Sequence, residues 1–140
     1  MEKNEKMSKK ILIINTGGTL SSVKGANGLV PGISGKDMME ELKMVSKNLT
    51  LETEDFCSLD SANIGPEDWA GLASCIAQRS HEYDGIVVIH GTDTLAYTSS
   101  MLSFMLQNIS IPVVVTGSQL SMANPVADAL ENCRCGIHMS

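Results

Sequence analysis

Long apolar runs are missing from this sequence. Its purely apolar stretches reach about four or five residues, far short of the ~18 expected of a membrane span. A surplus of basic residues is missing too: 10 Lys and Arg stand against 16 Asp and Glu, a net charge of -6. That balance excludes nucleic acid and anionic membrane as main partners, because both reward clustered cations. No secretory segment is legible. Residues 1–10 are charged, but the apolar run that follows stops at Asn15, short of the ~7 residues a signal-peptide core needs. Residues 1–9 read as a charged, disordered lead-in.

A disulfide framework is absent as well. Cys57, Cys75, Cys133 and Cys135 share no regular spacing, which suits reduced thiols in the cytoplasm. Cys133-Arg134-Cys135 with His138 imitates a metal site, yet Cys133 falls on the apolar stripe of an expected helix, and a buried thiol is the better reading. Asn48-Leu49-Thr50 and Asn108-Ile109-Ser110 match a glycosylation sequon that has no meaning without secretion. Nucleotide signatures fail in turn. Thr16-Gly17-Gly18-Thr19 lacks the third glycine of a dinucleotide fingerprint, and no acid stands ~20 residues on at the end of the second strand. Gly35-Lys36 is followed by Asp37 rather than Ser or Thr, and no strand precedes it.

What remains is a globular composition, 43% hydrophobic and 19% charged over 140 residues, sized for one domain. Short apolar runs alternate with helical periodicities, the pattern of an α/β fold: a Rossmann-like open sheet with mainly parallel strands and flanking helices. Strands are expected at 10–15, 49–58, 85–90 and 111–116. Residues 16–35, rich in glycine, read as a loop or flap without a regular element. Ser34 caps a helix bearing Met38, Leu42 and Val45. Gly65-Pro66-Glu67-Asp68 starts another, with proline at its first position and acids in its first turn. Its stripe is Trp69, Leu72, Ala73, Ile76 and Ala77. The helix at 94–107 carries no charge and is apolar around most of its circumference, which implies burial and favours an interface on one face. A last helix starts at Asn124-Pro125 and aligns Val126, Ala129, Leu130, Cys133 and Ile137.

The chemistry sits where strands end. The carboxyl ends of parallel strands face one crevice, where ligands bind. Here those ends carry Thr16 and Thr19, Asp60 and Ser61, Thr92 and Asp93, and Thr116 and Ser118. For any one threonine, capping of the next helix is the ordinary explanation. Four hydroxyl-bearing or acidic ends at one edge instead make a polar pocket with little positive charge, suited to a small zwitterionic or amide ligand. Threonine hydroxyls beside a carboxylate point to nucleophilic acyl chemistry, provided a base removes the proton.

Thr16-Gly17-Gly18-Thr19, Asp60-Ser61, His90-Gly91-Thr92-Asp93-Thr94 and Thr116-Gly117-Ser118-Gln119 together resemble the asparaginase family of threonine amidohydrolases, in its cytoplasmic type I branch. The resemblance runs along essentially the whole chain in the right order. It implies that residues 10–140 are the N-terminal part of a two-domain fold, truncated at its C-terminal end, with the smaller C-terminal domain absent. It also implies a homo-oligomer when complete, with L-asparagine as the small-molecule substrate and no metal or organic cofactor. By motif, Thr19 resembles the nucleophile that forms an acyl-enzyme and releases ammonia. Thr92 and Asp93 resemble the second threonine and its acid, with Asp93 binding the α-amino group. Asp60, Ser61 and Ala62 resemble the segment that holds the α-carboxylate. Oxyanion donors are expected from the backbone of the Thr92 turn.

Two positions depart from the family pattern. Leu29 stands where the flap tyrosine is expected, and leucine neither relays a proton nor donates a hydrogen bond. The lysine partner of Thr92 and Asp93 belongs to a strand after the last helix of this chain. The isolated chain is therefore expected to be inactive or nearly so. Three other readings stay open: a non-catalytic fragment or partner protein, a nucleotide-binding Rossmann domain, and the asparaginase-like component of an archaeal-type glutamyl-tRNA amidotransferase. The acidic balance, and a first strand that begins about ten residues from the start, disfavour the last.

Overall fold

The computed structural model describes residues 8–17, 22–25, 28–31, 48–118 and 129–140. Its centre is a four-stranded parallel sheet built from β1 (Lys9–Asn15), β4 (Leu49–Asp55), β5 (Gly85–Ile89) and β6 (Val113–Thr116), in the order β4-β1-β5-β6. Strand β1 runs beside β4 with Ile13 opposite Thr53, and beside β5 with Ile13 opposite Val87. Strand β5 pairs with β6 through Val88 and Val115. The two central strands carry the longest unbroken apolar runs among the described strands. Ile11, Leu12, Ile13 and Ile14 on β1 and Ile86, Val87, Val88 and Ile89 on β5 are at most 1% exposed. A strand covered on both faces needs no alternation, and each such side chain contributes roughly 1.5–3 kcal/mol by leaving water.

Among the described residues three helices follow: α1 (Pro66–Arg79), α2 (Leu95–Met105) and α3 (Ala129–Met139). Helix α1 starts as its sequence requires, with Pro66 in its first turn and the Asp68 carboxylate accepting from the Gly65 N–H at 2.9 Å. Leu72, Ala73 and Ile76 face the sheet, while Trp69 is half-buried and Ala77 exposed. They join Leu12, Ile14, Ile86, Val88 and Leu102 in one core. Cys133 and Ile137 of α3 are buried, and burial pushes the Cys133 thiol up to about 12. Cys135 lies on the exposed side of the same helix, so the two thiols do not face one site.

Several expectations are corrected. Residues 16–35 do contain regular structure: β2 (Ser22–Gly25) and β3 (Gly28–Pro31) pair antiparallel, Val23 opposite Val30. Asn27-Gly28 between two short valine-bearing segments was the sequence signal. Lys9 belongs to β1 rather than to a disordered lead-in, and residues 1–7 lie outside the described residues. Helix α2, expected to keep one face for an interface, has one side covered and the other open. Thr98 and Leu102 are buried, but Tyr97 and Phe104 are 66% and 72% exposed, because β6 and α1 cover only one side. A groove of about 340 Å³ lined by Ser99, Leu102, Ser103, Leu106, Ile111 and Val115 remains between α2 and β6. Strand β4 stops at Asp55, where the chain turns to bond to β1. The expected helix after Ser34 and the start at Asn124-Pro125 fall outside the described residues. No described helix is long and apolar enough to cross a membrane.

Candidate active site

All four strands of the parallel sheet point their carboxyl ends to one edge, and backbone hydrogen bonds tie the loops together there. At the end of β1, the Thr16 N–H donates to the Ile89 carbonyl at 3.0 Å, and the Leu59 N–H donates to the Thr16 carbonyl at 3.3 Å. The Phe56 N–H reaches the Asn15 carbonyl at 2.9 Å, and the His90 N–H reaches Thr116 at 2.8 Å. Asn15 is 5% exposed. It braces the first turn, donating to Asp55 at 3.1 Å and accepting from the Gly17 N–H at 3.1 Å.

Gly17 could be no other residue here. Its φ is 98°, and a Cβ would stand 2.5 Å from the Leu59 carbonyl oxygen. Only glycine occupies that backbone region without strain. Gly117 is similarly confined, since a Cβ there would overlap the His90 carbonyl oxygen. These two glycines let the loops after β1, β4, β5 and β6 approach backbone to backbone.

Thr16 does not line the pocket. Its hydroxyl is 1% exposed and donates to the Ile89 carbonyl at 2.9 Å, so it is a structural pin between β1 and β5. Thr19 lies outside the described residues.

The segment after β4 and the turn after β5 meet directly. Asp60 caps a single 3-10 turn, Ser61–Asn63, by accepting from the Ala62 N–H at 3.2 Å. Ser61 is 3% exposed. Its Oγ accepts the Asp93 N–H at 3.2 Å, and its carbonyl accepts the Thr94 hydroxyl at 2.7 Å. Asp60, Ala62 and Asp93 are exposed, and Thr92 is half-buried. The structure thus brings the Asp60–Ser61–Ala62 segment and the Thr92–Asp93 turn together, with carboxylates on both sides.

Sequence reasoning missed His90, which is fully buried beneath this turn. Its Nδ1 lies 2.6 Å from the Gly91 carbonyl, and its Nε2 lies 2.9 Å from the Thr98 hydroxyl. Burial pulls the imidazole below its ordinary pKa. A histidine at the carboxyl end of a fully apolar strand was the available signal. Among the described residues, no group of three His, Cys, Asp or Glu side chains is placed to hold a metal ion.

The fold defines an α/β domain whose parallel strands end at one edge, the position where ligands bind in open sheets of this kind. Comparison with known proteins narrows the class. Residues 10–140 match the family model described as Asparaginase, N-terminal, and the chain belongs to the asparaginase family. It is 44% identical over 129 residues to the L-asparaginase of Thermococcus kodakarensis, covering 91% of this chain and 39% of that protein. The structure of that thermostable enzyme superposes with a TM-score of 0.83 over the same shares. L-asparaginase I from Vibrio cholerae superposes with a TM-score of 0.81 at 34% identity, covering 94% of this chain and 40% of that one. A glutamyl-tRNA(Gln) amidotransferase component from Thermoplasma acidophilum is 36% identical over 133 residues, 94% of this chain and 32% of that protein. The chain spans about two fifths of the length of the asparaginases it matches.

Proposed function

We propose that this chain carries the N-terminal, substrate-holding part of an amidohydrolase that converts L-asparagine to L-aspartate and ammonia in the cytoplasm. The observation that supports this reading best is the clasp between Ser61 and the Asp93–Thr94 turn, in a chain 44% identical to an L-asparaginase. A zwitterionic amino acid needs an acceptor for its ammonium and donors for its carboxylate. Asp93 supplies the first, and the Asp60–Ser61–Ala62 segment supplies the second through hydroxyl and backbone N–H groups. A hydroxyl oxygen accepts and donates at once, so Ser61 can hold Asp93 and still offer its proton.

In the proposed reaction, Thr19 Oγ attacks the side-chain amide carbon. The tetrahedral intermediate loses its nitrogen, once protonated, as ammonia. Water then cleaves the Thr19 ester, releasing aspartate and restoring the hydroxyl. Thr92 and Asp93 stand beside the scissile amide. Holding it against the nucleophile in this way contributes up to ~7–11 kcal/mol of barrier lowering. A proton acceptor for Thr19 is still required, and the family pattern places the lysine that serves Thr92 and Asp93 beyond residue 140. The complete assembly is a homo-oligomer in this reading.

Ammonia release from L-asparagine tests the proposal. The 140-residue chain alone should release little. The chain joined to the remaining C-terminal portion of the Thermococcus kodakarensis enzyme should release it catalytically, and a Thr19→Ala version should not. No release from the joined, folded chain would refute the reading. A second reading, one component of an amidotransferase, is favoured by the 36% identity to the Thermoplasma acidophilum protein. Ammonia release from glutamine that appears only with a second protein would select it.

A further inference from the structure

A line of buried polar groups runs behind the 90–94 turn, and the proposed reaction makes no use of it. The Trp69 indole Nε1 on α1 lies 2.9 Å from Thr98 Oγ1 on α2. Thr98 Oγ1 lies 2.9 Å from His90 Nε2, and His90 Nδ1 lies 2.6 Å from the Gly91 carbonyl oxygen. His90 and Thr98 are both 0% exposed. Three elements, α1, α2 and the end of β5, therefore contribute one group each.

Elementary chemistry sets the direction of every bond. A carbonyl oxygen only accepts, so His90 Nδ1 carries the ring proton. The Nε2 of that neutral ring only accepts, so the Thr98 hydroxyl donates to it. An indole N–H only donates, so Trp69 donates to the Thr98 oxygen. The line reads Trp69 to Thr98 to His90 to Gly91, with no second arrangement that satisfies all four groups.

Its last bond falls on site backbone. The Gly91 carbonyl belongs to the peptide that joins Gly91 to Thr92. A trans peptide is planar, so gripping its C=O also sets the direction of the Thr92 N–H. Gly91 has no side chain to restrict that peptide, which makes an external grip necessary. Ser61 holds the same turn from its far side through the Asp93 N–H. The turn is thus held from both ends.

We propose that Trp69, Thr98 and His90 are positioning residues whose one-directional hydrogen-bonded line locks the Gly91–Thr92 peptide and so orients Thr92 and Asp93 toward the ligand. The kinetic part of this proposal rests on the amidohydrolase reading above. The structural part does not. Thr98→Val keeps the side-chain shape and removes the donor to Nε2, freeing the buried ring to turn over or exchange its proton between nitrogens. The grip on Gly91 is then lost. Thr98→Ser restores the donor.

The test is made in two arms. In the 140-residue chain, ring 15N spectra should show the neutral Nδ1–H form of His90. T98V should move the amide resonances of Thr92 and Asp93, and T98S should return them. Ile76→Val, which removes one core methylene from α1, should lower the melting temperature without moving those resonances. In the chain joined to the Thermococcus C-terminal portion, T98V should lower kcat/KM by about 10- to 100-fold, the scale set by a misplacement near 1 Å. I76V should not, and T98S should recover most of the loss. If the joined wild-type chain releases no ammonia, the amidohydrolase reading fails and the spectra alone decide the clamp. If T98V does not fold, Trp69→Phe, which keeps a packed ring and deletes the outermost donor, should move the same two resonances in its place. An Nε2–H tautomer, or resonances and kcat/KM that respond to T98V no more than to I76V, would overturn the proposal.

Discussion

The Ser61 hydroxyl accepts the backbone N–H of Asp93 at 3.2 Å, joining two turns 32 residues apart in sequence. This one bond carries the Asp60 segment and the Thr92–Asp93 turn as a unit. It makes Ser61 part of the frame beneath the proposed site, for the residue is almost wholly buried. Replacing it therefore disturbs the frame of the site together with its chemistry.

Ser61→Ala should lower stability by about 1 kcal/mol, the net worth of such a hydrogen bond. Urea denaturation of the two proteins measures it directly. An unchanged midpoint would mean that water replaces the hydroxyl without loss.

Gly17→Ala should be costlier. It puts an L side chain at φ 98° and drives its Cβ to 2.5 Å from a backbone oxygen. A loss of about 2 kcal/mol or more is expected from strain of this kind. The same denaturation measurement decides it, with Gly65→Ala as a control, since a Cβ at Gly65 meets nothing within 4 Å.

His90 makes stability depend on mild acid. Its folded pKa is lowered by burial, whereas the unfolded ring titrates near ~6.5. As pH falls through that value the unfolded chain takes up the proton first. Its contribution is therefore complete above neutrality and is lost progressively as pH drops below about 6.5. Urea midpoints between about pH 5 and 8 should fall on the acid side, and His90→Gln should show a shallower slope.

Tyr83 acts at the other extreme. Burial, together with its hydrogen bond to Glu52 at 2.5 Å, pushes the phenol up to about 12. An unfolded tyrosine ionises near ~10, so stability should decline as pH rises above that value, the unfolded chain losing the proton first. The same bond, ahead of Lys10, holds the Glu52 carboxyl below its usual pKa. Tyr83→Phe should raise the Glu52 pKa toward the ordinary range in a carboxyl NMR titration.

Much of this architecture is legible in the residues. Ile11-Leu12-Ile13-Ile14 and Gly85-Ile86-Val87-Val88-Ile89 announce the two central strands because a strand buried on both faces has no polar position. Gly65-Pro66-Glu67-Asp68 announces α1 because each residue suits a helix start for a local reason. The β2–β3 hairpin is hidden because a glycine-rich composition outweighs the Asn27-Gly28 turn signal. What covers the open side of α2 is hidden for another reason. Apolar character around a helix says nothing of which neighbours the chain supplies to cover it.

The residues alone decided the fold class, the order of the main elements and where the central strands end, since periodicity and turn preference act over a few neighbours. Tertiary structure alone decided which hydroxyls serve the frame. Thr16 turns inward to Ile89, Ser61 reaches across to Asp93, and Thr98 supports His90 from another helix. Each pairing depends on strand register and helix packing that bring distant residues within about 3 Å, and hydrogen bonds form only at that range.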